Sequence, residues 1–163
     1  MNNFPSASIK LLMLDVDGTL SDGGMYFSAD GLVMKRFDVR DGKGVLLLQE
    51  SGVEVVFVTA DDSPITTARA RRLQVAQCEM NCMDKGETVR QILADRGLSR
   101  AEACYMGDDV NDLAAFAEVD YTVAPPEAVP EVRAAAGYIT RASAGHGAVR
   151  EVCDLLRQAQ GGC

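Results

Sequence analysis

The chain has 163 residues, with 16 Lys and Arg against 24 Asp and Glu and a formal net charge of −8. That length corresponds to one domain whose core needs neither disulfides nor a structural metal. The acidic balance speaks against nonspecific nucleic-acid binding and docking on anionic lipid, and no apolar run reaches the ~18 residues of a membrane span.

Residues 1–8 lack a basic stretch followed by an apolar block, so no secretory leader is expected. The five cysteines (Cys78, Cys82, Cys104, Cys153 and Cys163) are odd in number and contain no Cys-x-x-Cys pair. They fit reduced thiols in a cytoplasmic protein.

Residues 9–14 form an apolar run ending at the carboxylate of Asp15, which reads as a central strand buried on both faces. The runs 25–28 and 32–37 flank Ala29-Asp30-Gly31 and predict a β-hairpin over about residues 22–40, projecting above the end of that first strand. A helix over 43–50 stops before Gly52, and 53–58, rich in β-branched residues, is the second buried strand. Next come a helix over 65–73 carrying Arg69, Arg71 and Arg72, and a strand over 75–80. The helix over 85–96 has Val89, Ile92 and Leu93 at helical spacing and ends before Gly97. Ser99 and Glu102 match a capping box ahead of a strand over 103–106. Helices over 112–118, 128–136 and 148–159 alternate with strands over 121–124 and 138–140. This alternation predicts an α/β fold: a Rossmann-like parallel sheet in three layers, one domain over 1–163, with a tail from about residue 141. Such sheets bind ligands at the carboxyl ends of their strands.

Polar residues gather at those ends. In Asp15-Val16-Asp17-Gly18-Thr19-Leu20, two carboxylates follow the first strand. Like charges this close are costly unless a cation lies between them or one is protonated, although a polar Asx turn has the same pattern. Gly107-Asp108-Asp109-Val110-Asn111-Asp112 places three carboxylates and an amide after the strand over 103–106. Helix capping explains one of those acids, and an oxygen-rich cluster suits a hard cation such as Mg²⁺. Thr59 ends the second strand, where a hydroxyl and free amides either cap a helix or hold a phosphate. Lys85 opens a helix, an electrostatically unfavourable place for an ammonium, so it is either solvated or functional.

In this order, Asp15-x-Asp17-Gly18-Thr19, Thr59, Lys85 and Gly107-Asp108-Asp109-x-x-Asp112 resemble the four motifs of the haloacid dehalogenase superfamily of phosphotransferases, across almost the whole chain. The two places where that superfamily inserts cap domains hold only the hairpin and one helix–strand pair, which resembles its capless members. Ser21-Asp22-Gly23, Phe37-Asp38-Val39-Arg40-Asp41-Gly42 and Gly145-His146-Gly147-Ala148-Val149-Arg150-Glu151 resemble the 3-deoxy-D-manno-octulosonate 8-phosphate phosphatases, relatives of the nonulosonate 9-phosphate phosphatases.

The resemblance implies Mg²⁺-dependent hydrolysis of a phosphorylated 3-deoxy-2-keto sugar acid through an aspartyl-phosphate, in lipopolysaccharide precursor synthesis. By the same resemblance, Asp15 is the nucleophile and Asp17 the general acid, then base. Asp15, the backbone carbonyl of Asp17, and Asp108 hold Mg²⁺, with Asp109 and Asp112 around its waters. Thr59 and Lys85 hold the phosphoryl oxygens. Asp61 stands where octulosonate phosphatases usually carry Arg, which bears on substrate contact and opens N-acylneuraminate or another nonulosonate 9-phosphate as the alternative substrate. Arg69 and Arg72 are candidate contacts to the sugar-acid carboxylate across a subunit interface, with a solvated basic helix face as the alternative. A homotetramer is also implied, with hairpins forming a central barrel and each site completed by a neighbouring subunit, over which the tail from Gly145 to Glu151 closes. His146 has no place in this mechanism and reads as a surface or interface residue. Two other classes fit less well. A receiver domain has its acidic pair upstream of the acceptor Asp, and a non-catalytic tetramerisation module tends to lose the motif acids that all stand here. No Gly-x-Gly-x-x-Gly follows the first strand, against a dinucleotide-binding enzyme.

Overall fold

The structure, a computed structural model, describes residues 4–161; residues 1–3 and 162–163, and with them Cys163, lie outside it. The chain starts at the centre of a six-stranded sheet with β1 (Leu11–Leu14). After a tight turn it makes a hairpin, β2 (Ser21–Ser28) and β3 (Gly31–Phe37), and enters α1 (Val39–Glu50). It then builds one side of the sheet with β4 (Glu54–Val58), α2 (Pro64–Arg72) and β5 (Gln77–Glu79). From α3 (Lys85–Arg96) it crosses to the other side with β6 (Ala103–Met106), α4 (Leu113–Phe116) and β7 (Tyr121–Ala124). α5 (Pro130–Ala135), β8 (Tyr138–Ile139) and α6 (Ala148–Ala159) follow. The order is β5-β4-β1-β6-β7-β8, with every neighbouring pair parallel. The winding reverses at β1, so the loops after β1, β4 and β6 surround one crevice at the carboxyl edge.

The β1 run lacks polar alternation because both its faces are covered. Leu12 and Leu14 pack with Val45 and Leu48 of α1 and with Val149, Val152 and Leu156 of α6. Leu11 and Met13 pack with Val89 and Ile92 of α3, and with Phe116 and Val132, on the other face. Each fully buried side chain of this size contributes about 1.5–3 kcal/mol, so β1 is a firm platform for the acids that follow it.

Two helices differ from the pattern-based expectation by a full turn or in type. α1 begins at Val39 rather than residue 43, because the Asp38 carboxylate accepts the Arg40 N–H at 2.7 Å and caps the helix there. The helix expected over 112–118 is only a 3₁₀ turn, Val110–Asp112, followed by a single α turn.

The hairpin is a separate two-stranded antiparallel sheet with exposed Tyr26, Phe27, Val33 and Met34. Its base and the start of α1 fasten the C-terminal loop of the same chain. Arg36 Nη1 donates to the Gly145 carbonyl at 2.6 Å, and Arg40 Nη2 to the His146 carbonyl at 3.1 Å. Asp41 accepts the N–H groups of Gly147 (3.2 Å) and Arg150 (2.8 Å). Among the described residues, no helix is long and apolar enough to cross a membrane.

Candidate active site at the carboxyl edge of the sheet

Asp15 continues β1 by one residue, its N–H donating to the Met106 carbonyl of β6 at 2.9 Å, so the ladder itself aims this carboxylate into the crevice. The turn that follows is sharp: Gly18 sits at φ +91°, which favours glycine. A Cβ there would lie 2.1 Å from Asp108 Oδ2. The bare glycine backbone therefore lets the acidic segments at Asp15–Asp17 and at Asp108–Asp112 meet. Thr19 Oγ1 donates to Asp108 Oδ1 at 3.1 Å and holds that contact.

Behind Asp15 lies a buried ion cluster. Lys85 Nζ is 2.6 Å from Asp15 Oδ1 and 2.6 Å from Asp112 Oδ1, and its side chain is 1% exposed. Burial alone would lower the Lys85 pKa, but the two carboxylates outweigh it and keep the ammonium charged. Asp112 is saturated: Oδ1 also accepts from the Tyr105 hydroxyl (2.8 Å), and Oδ2 accepts the N–H groups of Asp108 (2.9 Å) and Asp109 (3.1 Å). Burial, and then the charge of Asp112, push the Asp15 carboxyl well above the ordinary range despite Lys85. The same two causes raise Asp108 to about 6.

Oxygens of Asp15, Asp108 and Asp112 lie within 4.8 Å of one another. Two of these three carboxylates share one ammonium, Asp108 has none among the described residues, and every donor is a hard oxygen. This fits a small divalent cation. Since all of Asp112's polar contacts are already made within the chain, the open ligands are on Asp15 and Asp108, beside the Asp17–Gly18 backbone.

A cavity of about 360 Å³ opens here, lined by Asp15, Asp17, Thr59, Asp61, Asp108 and Asp109, with Met25 reaching in from the hairpin. Thr59 is buried at the end of β4, and its Oγ1 accepts the Asp61 N–H at 3.1 Å. Asp109 is exposed and accepts the Val110 N–H at 2.7 Å. Asp17 Oδ2 pairs with Lys35 Nζ at 2.8 Å, while its Oδ1 is buried without a hydrogen-bond partner.

The structure thus gathers Asp15, Asp17, Thr59, Asp61, Lys85, Asp108, Asp109 and Asp112 in one place, but not the two arginines. Arg69 Nη2 donates to the Asp38 carbonyl at 3.0 Å, and its guanidinium stacks 5.1 Å from the Phe37 ring centre. Arg69 and Arg72 line a separate groove beside α1. Within one chain, Arg69 packs against the base of the hairpin and Arg72 lies in the groove, both outside this cavity. Asp61 lines the cavity, and its Oδ2 is taken up by Lys35 (2.8 Å), Thr66 Oγ1 (3.1 Å) and the Ser63 N–H (3.0 Å). His146 lines an adjoining cavity with Asp22, Glu127 and Arg141, its Nδ1 3.0 Å from the Ala144 carbonyl.

Sequence reasoning missed Lys35 and Tyr105. Lys35 gave no signal beyond one cation in a hairpin strand. Tyr105 gave a weak one: a hydroxyl inside an otherwise apolar buried strand, next to the Gly107-Asp108-Asp109 segment.

Comparison with known proteins agrees with this geometry. The profile of haloacid dehalogenase-like hydrolases matches residues 74–152. A 3-deoxy-D-manno-octulosonate 8-phosphate phosphatase of Yersinia pestis is 37% identical over 155 residues, 95% of this chain and 83% of that protein. The crystal structure of such a phosphatase from Moraxella catarrhalis, in complex with magnesium, phosphate and KDO, has a TM-score of 0.92 at 35% identity, covering 95% of this chain and 89% of that one. The cobalt-bound form of the Haemophilus influenzae phosphatase has a TM-score of 0.92 at 33% identity, covering 95% and 91%. The chain belongs to the haloacid dehalogenase-like hydrolases, in the family of the 3-deoxy-D-manno-octulosonate 8-phosphate phosphatases.

Proposed function

We propose that the chain is a Mg²⁺-dependent phosphatase that hydrolyses 3-deoxy-D-manno-octulosonate 8-phosphate in one domain over residues 1–163. The observation that carries this is the pairing of a buried Asp15, at the end of β1, with an Asp17 that lines the same cavity and whose Oδ1 is buried without a hydrogen-bond partner. The family relation supports the substrate.

Asp15 attacks phosphorus, forming an O–P bond as the P–O bond to the sugar breaks. Asp17 delivers a proton from Oδ1 to the departing alkoxide. Water then attacks the aspartyl-phosphate, Asp17 Oδ1 takes the water's proton, and inorganic phosphate leaves with Asp15 restored. Lys85 holds Asp15 in line, and with Thr59 it faces the phosphoryl oxygens, where charge stabilisation matters most. Asp15, the Asp17 carbonyl and Asp108 would hold Mg²⁺, which would offset the repulsion between this acidic site and a phosphate dianion. Asp112 fixes Lys85 and the Asp108 backbone, and Asp109 would border the waters of a bound metal.

The exposed apolar hairpin, with Phe27 68% and Val33 61% exposed, supports burial between copies in a homotetramer whose neighbour supplies Arg72 to the substrate carboxylate. Cys78, Cys82, Cys104 and Cys153 are unpaired, in keeping with a cytoplasmic location. Asp15→Asn tests the reading. Phosphate release should stop while the far-ultraviolet circular dichroism stays that of the parent, and near-parental release would refute the assignment.

A further inference from the structure

We propose that Lys35 of the hairpin is a positioning residue for proton transfer at Asp17, clamping that carboxyl so that only Oδ1 faces the reaction. The inference rests on the assignment of Asp17 as the proton donor.

The Lys35 side chain is completely buried, although it comes from a strand that is otherwise largely exposed. An ammonium has three donors, and each has an acceptor here: Asp17 Oδ2 at 2.8 Å, Asp61 Oδ2 at 2.8 Å and Thr66 Oγ1 at 3.3 Å. No donor is left for a phosphate or a sugar hydroxyl. Lys35 therefore acts through Asp17 rather than on substrate.

The clamp is anchored on its far side. Thr66, fully buried on α2, donates to the same Asp61 oxygen that receives Lys35, and the Ser63 N–H donates there as well. Asp61 thus ties the hairpin ammonium to the start of α2. Burial opposes the charge on Lys35, but its hydrogen bonds to Asp17 and Asp61 outweigh that and raise its pKa. With Oδ2 held, the Asp17 carboxyl cannot exchange its two oxygens without breaking a part-buried ion pair. Oδ1, the buried oxygen with no partner, is the one left to carry the proton. A misplacement of about 1 Å in such a group costs on the order of 10²-fold in rate.

The test uses leaving-group dependence, which a purely structural lysine would not alter. Lys35→Met keeps the chain length and removes the ammonium. With saturating Mg²⁺, kcat/KM is measured for 3-deoxy-D-manno-octulosonate 8-phosphate, whose alkoxide needs a proton to depart, and for p-nitrophenyl phosphate, whose phenolate leaves without one. This parameter reports steps up to departure of the leaving group. The expected loss on the sugar phosphate is about 10–100-fold, and roughly tenfold larger than the loss on the aryl ester. Equal losses on both esters, or none, overturn the proposal. Asp17→Asn is run in parallel. If it shows the selective loss and Lys35→Met does not, the Lys35 assignment falls and the Asp17 assignment stands. If Asp17→Asn also lacks the selective loss, both fall. Lys35→Gln carries the same comparison if the methionine variant does not fold.

Discussion

Replacing Lys85 with Met removes the ammonium shared by two buried carboxylates. Lys85 lies 2.6 Å from both Asp15 and Asp112, whose side chains are 7% and 1% exposed. Removing one partner of a buried ion pair costs about 3–5 kcal/mol, because the remaining charge is left uncompensated. Asp15 limits that cost by taking up a proton, since its carboxyl is already displaced upward by burial and Asp112. The sign follows from proton linkage. A folded state holding a proton that the unfolded state lacks loses stability as pH rises, by about 1.4 kcal/mol per pH unit per proton. The deficit of Lys85→Met should therefore be larger near pH 8 than near about pH 5.5. Urea unfolding of the metal-free parent and variant at both pH values measures it. A deficit below about 1 kcal/mol at the higher pH, or one that shrinks as pH rises, would refute the ion-cluster reasoning.

Gly18→Ala should be damaging, because the added Cβ falls 2.1 Å from Asp108 Oδ2 at a residue with φ +91°. We expect a strain of about 1–3 kcal/mol and weaker Mg²⁺ binding by titration calorimetry; parental affinity would contradict the close approach. Tyr105→Phe deletes the 2.8 Å hydrogen bond to Asp112 and should cost about 1.5–3 kcal/mol in urea unfolding, whereas a neutral change would mean that Asp112 repairs itself. Asp38→Ala removes the α1 cap, worth about 0.5–2 kcal/mol. The Arg40 hydrogen bonds hold Asp38 down at about 2, so this contribution is complete above the ordinary Asp range and fades as pH falls toward that value. A deficit equally large in strong acid and at neutrality would contradict it.

Most of the sheet was legible in the sequence because its signals are local. The runs over 103–106 and 121–124, and the helices over 85–96 and 148–159, have the bounds expected from periodicity and flanking glycines. The start of α1 was obscured by Gly42 and Gly44, poor helix formers, and by Asp41, which is buried because it receives N–H groups from the start of α6. The motif acids were legible as a set, but their supports were not. Lys35 meets partners 18 and 26 residues away across the hairpin fold, and no local pattern encodes such pairings. The partners of Arg69, the Asp38 carbonyl and the Phe37 ring, lie about 30 residues away in sequence and were equally hidden from any local pattern.

The measurement that tests the central claim most directly is phosphate release from 3-deoxy-D-manno-octulosonate 8-phosphate and from an N-acylneuraminate 9-phosphate in parallel, each with and without Mg²⁺. The account predicts fast, Mg²⁺-dependent release from the octulosonate ester and much slower release from the neuraminate. Faster release from the neuraminate, or no metal-dependent release from either, would contradict it.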